Sequence, residues 1–331
     1  MINLNGTRSI DKFLEKALYD KNYGYYSKKN PFGKKGDFIT APLISPIFSE
    51  IILIWVISYW VSLGKPKKFS FVELGPGNGA FCKTFCRTLK KFPDFKESVQ
   101  IYLFERSERL IKIQKKNIND NNVTWIKNIG QIKDGPVLFF GNEFFDSIPI
   151  KQFKIKRSRI YEKFIYFKND KFKKFIFKKV SKKTIQKLKE LNLLRKKGVI
   201  EYPQKGLQIL ELITKKINKL NGGILLIDYG YTKPQGNDTL QSLKSHKKNV
   251  FYKNIGKADI TYLVNFKLLC KYLLKRKLFL NRIVSQNFFL KKLGIIERTE
   301  MLSKNASFKV KSDLYYRLER LLSKKKNGKF V

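Results

Sequence analysis

The residues of this chain best suited to chemistry are acids and amides placed where apolar runs end. The run FSFVELGPGNG (69–79) closes a strand-like segment with Glu73 and then sets glycines at 75, 77 and 79. Glycine has no Cβ and tolerates positive φ, so this spacing lets a ligand come against bare backbone. A dinucleotide fingerprint reads G-x-G-x-x-G and leads a helix N-terminus to a pyrophosphate. Here the pattern is E-x-G-x-G-x-G. It suits a ligand with no phosphate whose amino-acid part passes close to the chain, with Glu73 supplying negative charge near the ammonium. S-adenosylmethionine has that chemistry. The competing reading is a tight strand–helix turn with no ligand.

Glu105 ends a second apolar run, Gln100–Glu105. An acid there can accept two hydrogen bonds from a ribose diol, or be an ordinary strand-end carboxylate. After a further run at 136–141 the chain reads NEFFDSIP (142–149). A methyl-accepting nitrogen must present a lone pair in line with the methyl carbon. An amide oxygen or a carboxylate can hold that nitrogen and balance the charge of a guanidinium. Asn142 and Glu143 suit this role, with Asp146 in support, and Asn142 also borders the cofactor. A helix N-cap with an acidic first turn would use the same residues. Asp228 closes the run 223–228 at the same predicted sheet edge, either orienting a ligand or stabilising a turn.

These groups need a mainly parallel α/β sheet to bring them to one edge. Strands are predicted at 69–74, 100–105, 123–126, 136–141, 223–228 and 281–285, with helices over 79–92, 108–118, 206–220 and 266–278. Residues 1–64 read as an N-terminal helical segment packed on the core, with Ser9 as an N-cap and a Gly-rich aromatic loop at 23–41. Residues 65–149 and 200–331 read as the Rossmann-like core, with the polar, loop-like stretch 231–262 as a lid. Between them, 150–199 is an insertion. Its first part alternates apolar and basic residues at period two, which predicts antiparallel strands with basic outer faces.

The chain has 331 residues and a net charge of +44. The lysines are spread along it in company with Ile, Asn and Phe, as an AT-rich coding sequence would produce. Compositional drift and a polyanion site both remain open, and weak, salt-sensitive nucleic-acid binding follows from either. The single histidine, His246, argues against a Ser/His/Asp triad and a His-rich metal centre, and no metal site is predicted. Cys82 and Cys86 lie four apart on one helix face with Cys270 remote, which reads as reduced thiols in a cytoplasmic-type compartment. No signal or transit peptide is expected, and the apolar stretch 51–61 is too short to span a bilayer.

The blocks ALYDKNYGYYSKKNPFGKKGDFITAP (17–42), ELGPGNG (73–79), NEFFDSIPIKQF (142–153), IDYGY (227–231), DTLQSLKSH (238–246) and ADITYLVNF (258–266) occur in this order. Together they resemble the MidA-like class I S-adenosylmethionine-dependent methyltransferases over nearly the whole chain. The resemblance implies a Rossmann-like class I methyltransferase sheet with S-adenosyl-L-methionine as cofactor. It puts Gly75, Gly77, Gly79 and Glu105 at the cofactor and Asn142, Glu143 and Asp228 at the reaction centre. It also implies a protein substrate, since mitochondrial members assist respiratory complex I assembly and dimethylate an arginine of one of its subunits. The chain departs from the family at Leu43, Pro46 and Ser49, where an acid, a Gln and a Gly are usual. It departs again at Leu263 and Asn265, where a His and an Asp are usual. Two rival readings follow: an RNA methyltransferase, from the basic charge, and a non-catalytic cofactor-binding assembly factor, from the departures.

Overall fold

A computed structural model of the chain describes residues 4–28, 31, 33, 39–233, 235–245, 247–280 and 282–323. His246, the GDF stretch at 36–38 and the C-terminal residues 329–331 lie outside the described residues. Along the chain the strands are β1 (Gly6–Ser9), β2 (Phe69–Leu74), β3 (Val99–Phe104), β4 (Val123–Ile126), β5 (Val137–Asn142), β6 (Lys151–Lys156), β7 (Arg159–Lys168), β8 (Lys171–Lys179), β9 (Gly198–Tyr202), β10 (Gly222–Ile227), β11 (Gly230–Tyr231), β12 (Gln241–Lys244), β13 (Lys247–Asn249), β14 (Asp259–Thr261) and β15 (Val264–Asn265). The chain divides into two compact units.

One unit comprises Phe32–Phe144, Lys215–Tyr229 and Asn281–Val331. Its sheet runs β10-β5-β2-β3-β4, and every pairing is parallel. All six residues of β2 are buried, as a strand covered on both faces requires. The helix Ala80–Leu89 turns Phe81, Cys82, Phe85, Cys86 and Leu89 to the core. Phe85 stacks on Phe71 of β2 at 4.6 Å, and Phe81 meets Phe140 of β5 at 4.5 Å. The thiols of Cys82 and Cys86 lie 3.7 Å apart on the helix face they were expected to share. The helix Pro46–Ser62 starts on Pro46 and is capped by Ser45, whose Oγ accepts from the Ile47 N–H. Ser107 likewise caps the helix Glu108–Asn117, accepting from the Leu110 N–H at 3.3 Å.

The chain leaves β2 to build β3 and β4 on one side, then returns to lay β5 on the other. The connections after β2 and β5 therefore diverge, opening a crevice at the carboxyl ends of these two strands. Ligands of open α/β sheets bind at such a switch point. The described residues 282–285 form no strand, in contrast to the prediction for 281–285. That apolar run instead precedes the helix Gln286–Lys292, which Ser285 caps.

The other unit comprises Met1–Pro31, Phe145–Thr214 and Gly230–Leu280. The period-two stretch forms the antiparallel strands β6, β7 and β8 as predicted. The sheet also takes in β9 and β1. β1 corrects the all-helical expectation for the N-terminal residues. Four residues, GTRS, carry no readable period, and pairing with Phe164–Phe167 of β7 decides their conformation. Ser9 precedes the helix Ile10–Tyr19 but does not cap it with its side chain; its Oγ donates to Asp11 instead. The stretch 231–262 is not all loop either. It holds β12, β13 and β14, paired antiparallel, with Ser242 Oγ donating to the Asp259 carbonyl. Among the described residues no helix is long and apolar enough to cross a membrane.

Candidate functional site

Glu73 is the fifth residue of β2 and is buried at 5% exposure. Its Oε2 is buried with no hydrogen-bond partner. Burial first, and then the charge of Glu105, push its carboxyl up to about 8. The three glycines that follow all sit at positive φ: Gly75 at 64°, Gly77 at 57° and Gly79 at 81°. A Cβ on Gly75 would come within 2.8 Å of the Phe144 ring, and one on Gly79 within 2.9 Å of Ile118. Backbone conformation and space thus both demand glycine here, and the loop presents bare main chain beside a buried acid.

Glu105 follows β3 and is also buried. Its Oε1 accepts the N–H groups of Arg106 and Ser107, both at 2.8 Å. Its Oε2 accepts from Gln114 Nε2 at 3.3 Å. Burial raises this carboxyl to about 6, opposed by those hydrogen bonds and by the Arg106 charge. Oε1 thus has both lone pairs engaged, while Oε2, with one donor, keeps a lone pair for a further one such as a ribose hydroxyl.

Asn142 ends β5, directly paired with Ile227 of β10, and its Oδ1 is buried without a hydrogen-bond partner. Asn142 closes a strand and does not begin a helix, so the N-cap reading is set aside. The next residue, Glu143, sits at φ 52°, and its N–H donates to the Ile227 carbonyl at 2.8 Å. Left-handed backbone in a residue other than glycine is strained and collects at functional positions. Asp228 follows β10 at 2% exposure, with Oδ1 accepting the Tyr229 N–H at 2.8 Å. Glu73, the three glycines, Glu105, Asn142, Glu143 and Asp228 therefore share the carboxyl edge of one parallel sheet.

Asp146 lies in the other unit, where its carbonyl accepts the Tyr262 N–H. In the same unit Tyr26 donates to Asp259 Oδ1 at 3.1 Å, and Tyr19 donates to the Ser147 carbonyl at 3.1 Å. Burial, with the Asp259 charge after it, holds the Tyr26 phenol well above its usual range. Three of the sequence blocks, 17–42, 142–153 and 258–266, contribute to this cluster. Asn265, one of the family departures, caps the helix Phe266–Leu274 by accepting the Leu268 N–H at 3.0 Å. Asparagine and aspartate do this equally well, so the exchange keeps the cap.

Sequence reasoning missed Gln114 and Trp125. Gln114, on the helix Glu108–Asn117, is fully buried and also donates to the Gly77 carbonyl at 2.8 Å. Trp125 of β4 donates to its Oε1 at 2.9 Å. A glutamine on a helix of lysines carries no signal of its own. Its place on the inner face with Leu110 and Ile111 was the available clue.

Residues 51–282 match the sequence pattern of a family of S-adenosyl-L-methionine-dependent methyltransferases. The chain is 27% identical to the protein arginine methyltransferase NDUFAF7, mitochondrial, of Danio rerio, over 98% of this chain and 82% of the relative. It is 26% identical to the Homo sapiens protein of the same name, over 99% and 79%. A crystal structure of a COG1565 superfamily member from Burkholderia thailandensis, bound to S-adenosyl-homocysteine, superposes with a TM-score of 0.80. It is 19% identical and covers 96% of this chain and 84% of that one, a likeness of fold. The match across 51–282 settles the family: the chain belongs to the S-adenosyl-L-methionine-dependent methyltransferases.

Proposed function

We propose that this methyltransferase acts on a protein nitrogen, and that the nitrogen belongs to an arginine. The observation that carries the reading is the pair of buried acceptors, Glu73 Oε2 and Asn142 Oδ1, which lack hydrogen-bond partners. They stand at the carboxyl ends of β2 and β5, on either side of the switch point. Leaving buried polar atoms unsatisfied costs about 1–3 kcal/mol each, so such atoms point to missing donors. An ammonium and a guanidinium are groups that only donate.

In this reading Gly75, Gly77 and Gly79 carry the amino-acid part of the cofactor, Glu73 faces its ammonium and Glu105 takes the ribose diol. S-adenosyl-L-methionine supplies a methyl carbon made electrophilic by its sulfonium. Asn142 Oδ1 and the Glu143 carboxylate hold the guanidinium so that one nitrogen faces that carbon. The carboxylate balances the positive charge and takes the proton the nitrogen gives up. Asp228 supports the same edge. Alignment and exclusion of water do the rest, which needs no further base at Leu263. The NDUFAF7 proteins are named as protein arginine methyltransferases, which favours arginine over other nitrogens. The resemblance read from the sequence blocks further suggests a respiratory-complex subunit as the bearer of that arginine.

Calorimetry with S-adenosylhomocysteine tests the cofactor site. Binding at tens of micromolar or tighter is expected, and Gly77→Arg removes it. Mass spectrometry of wild-type and deletion cells then locates the methyl group. Methylation of RNA and not protein would overturn the acceptor. Full rescue of a deletion strain by Glu143→Ala with normal cofactor binding would overturn catalysis in favour of an assembly role.

A further inference from the structure

The Glu108–Asn117 helix reaches the glycine loop with two amides on one face, three residues apart. Gln114 Nε2 donates to the Gly77 carbonyl at 2.8 Å, and Asn117 Nδ2 donates to the Asn78 carbonyl at 2.9 Å. The second N–H of Gln114 goes to Glu105 Oε2 at 3.3 Å. The stem of Gln114 lies 3.4 Å from where a Cβ on Gly79 would stand. One side chain therefore touches all three parts of the proposed cofactor cradle: the loop backbone, the loop's helix junction and the ribose acid.

The orientation of the amide is chemically determined. Trp125 Nε1 can only donate, and it points at Gln114 Oε1 from 2.9 Å. The oxygen must face the indole, which turns the NH2 group toward a carbonyl and a carboxylate, both acceptors. A flipped amide would set donor against donor on one side and acceptor against two acceptors on the other. Lys115 lies over the same indole at 5.4 Å.

We infer that Gln114 is a positioning residue for the cofactor, held in one orientation by Trp125, which fixes the glycine loop and presents Glu105 to the ribose as a carboxylate. The inference rests on the cofactor-site reading above. Five groups bear on the charge of Glu105: the Gln114 amide, the N–H of Arg106, the N–H of Ser107, the Arg106 charge and, from β2, Glu73. Gln114 favours the charged form, and removing its donor raises the carboxyl further above its present value of about 6. A diol donates to the carboxylate, so cofactor affinity falls as pH drops through that value. Without Gln114 the fall must begin at higher pH.

The test is calorimetry of S-adenosylhomocysteine binding to the full chain from about pH 5 to about pH 8, for wild type, Gln114→Met and Trp125→Phe. Methionine keeps the length and apolar stem of glutamine and removes the amide. Gln114→Met is expected to bind roughly tenfold or more weakly, the worth of one buried hydrogen bond to a charged group. Its affinity is also expected to decline at higher pH than that of wild type. Glu73 is common to both proteins, so the displacement between the two profiles reports the amide. Trp125→Phe keeps the amide but frees it to turn, and shifts the profile the same way by less. If Gln114→Met does not fold, Trp125→Phe decides. A folded variant with wild-type affinity and an unshifted pH profile overturns the inference. Absence of binding by wild type would instead sink the cofactor-site reading.

Discussion

Glu73 and Glu105 stand at the ends of adjacent parallel strands as two buried carboxyl groups, and the charge of Glu105 adds to the proton affinity of Glu73. With Glu73 at about 8 and Glu105 at about 6, the cradle near neutral pH holds one neutral carboxyl and one carboxylate. An ammonium brought against Glu73 favours its charged form. Binding of S-adenosylhomocysteine near pH 7 is therefore expected to release close to one proton. Calorimetry in buffers of different ionisation enthalpy measures this, and Glu73→Gln should abolish the release. The same shift has a stability sign. Glu73 is raised above its unfolded value of 4.5, so its contribution is full below that pH and is lost as pH rises through about 8. Glu73→Gln should accordingly melt higher than wild type on the alkaline side and not on the acid side.

Glu143 is placed for chemistry at a conformational cost. Its φ of 52° carries a penalty of roughly 1–2 kcal/mol for a residue with a Cβ. Glu143→Gly is expected to stabilise the fold by about 1 kcal/mol in a denaturant titration while methylation is lost. Glu143→Gln keeps the shape and loses the charge. It should bind S-adenosylhomocysteine like wild type and transfer methyl groups about 100-fold more slowly or worse in single-turnover assays. A variant that loses cofactor affinity in proportion to rate would move Glu143 from the acceptor to the cofactor.

The sequence was most legible where local pattern and tertiary demand agree. β2 falls where the apolar run predicts it, because a strand buried on both faces is a near-continuous apolar run. The glycine spacing was readable because positive φ at 75, 77 and 79 admits few other residues. Legibility failed where distant partners decide. Gly6–Ser9 is a strand only because β7 offers its edge. Gln241–Lys244 pairs with strands on either side of it although Leu243 is its one apolar residue. Gln114 acquires its meaning from Gly77, Glu105 and Trp125, which lie 37, 9 and 11 residues away. The strain at Glu143 left no trace either, since the NEFFD segment reads equally well as a helix start.

Two constraints meet at Gly75, and they can be measured apart. Its φ of 64° disfavours any Cβ, and the Phe144 ring, edge-on to Phe104 at 6.5 Å, stands 2.8 Å from where that Cβ would go. Gly75→Ala must therefore push the ring aside as well as strain the backbone. The backbone term is about 1–2 kcal/mol, and S-adenosylhomocysteine affinity should fall at least tenfold through the displaced loop. Phe144→Ala removes the ring but leaves the dihedral. The double variant Gly75→Ala with Phe144→Ala is expected to recover part of the affinity lost by Gly75→Ala alone, leaving the backbone term. Calorimetry on the four proteins of this cycle gives the coupling directly. Zero coupling would mean that the ring yields freely and that conformation alone reserves position 75 for glycine.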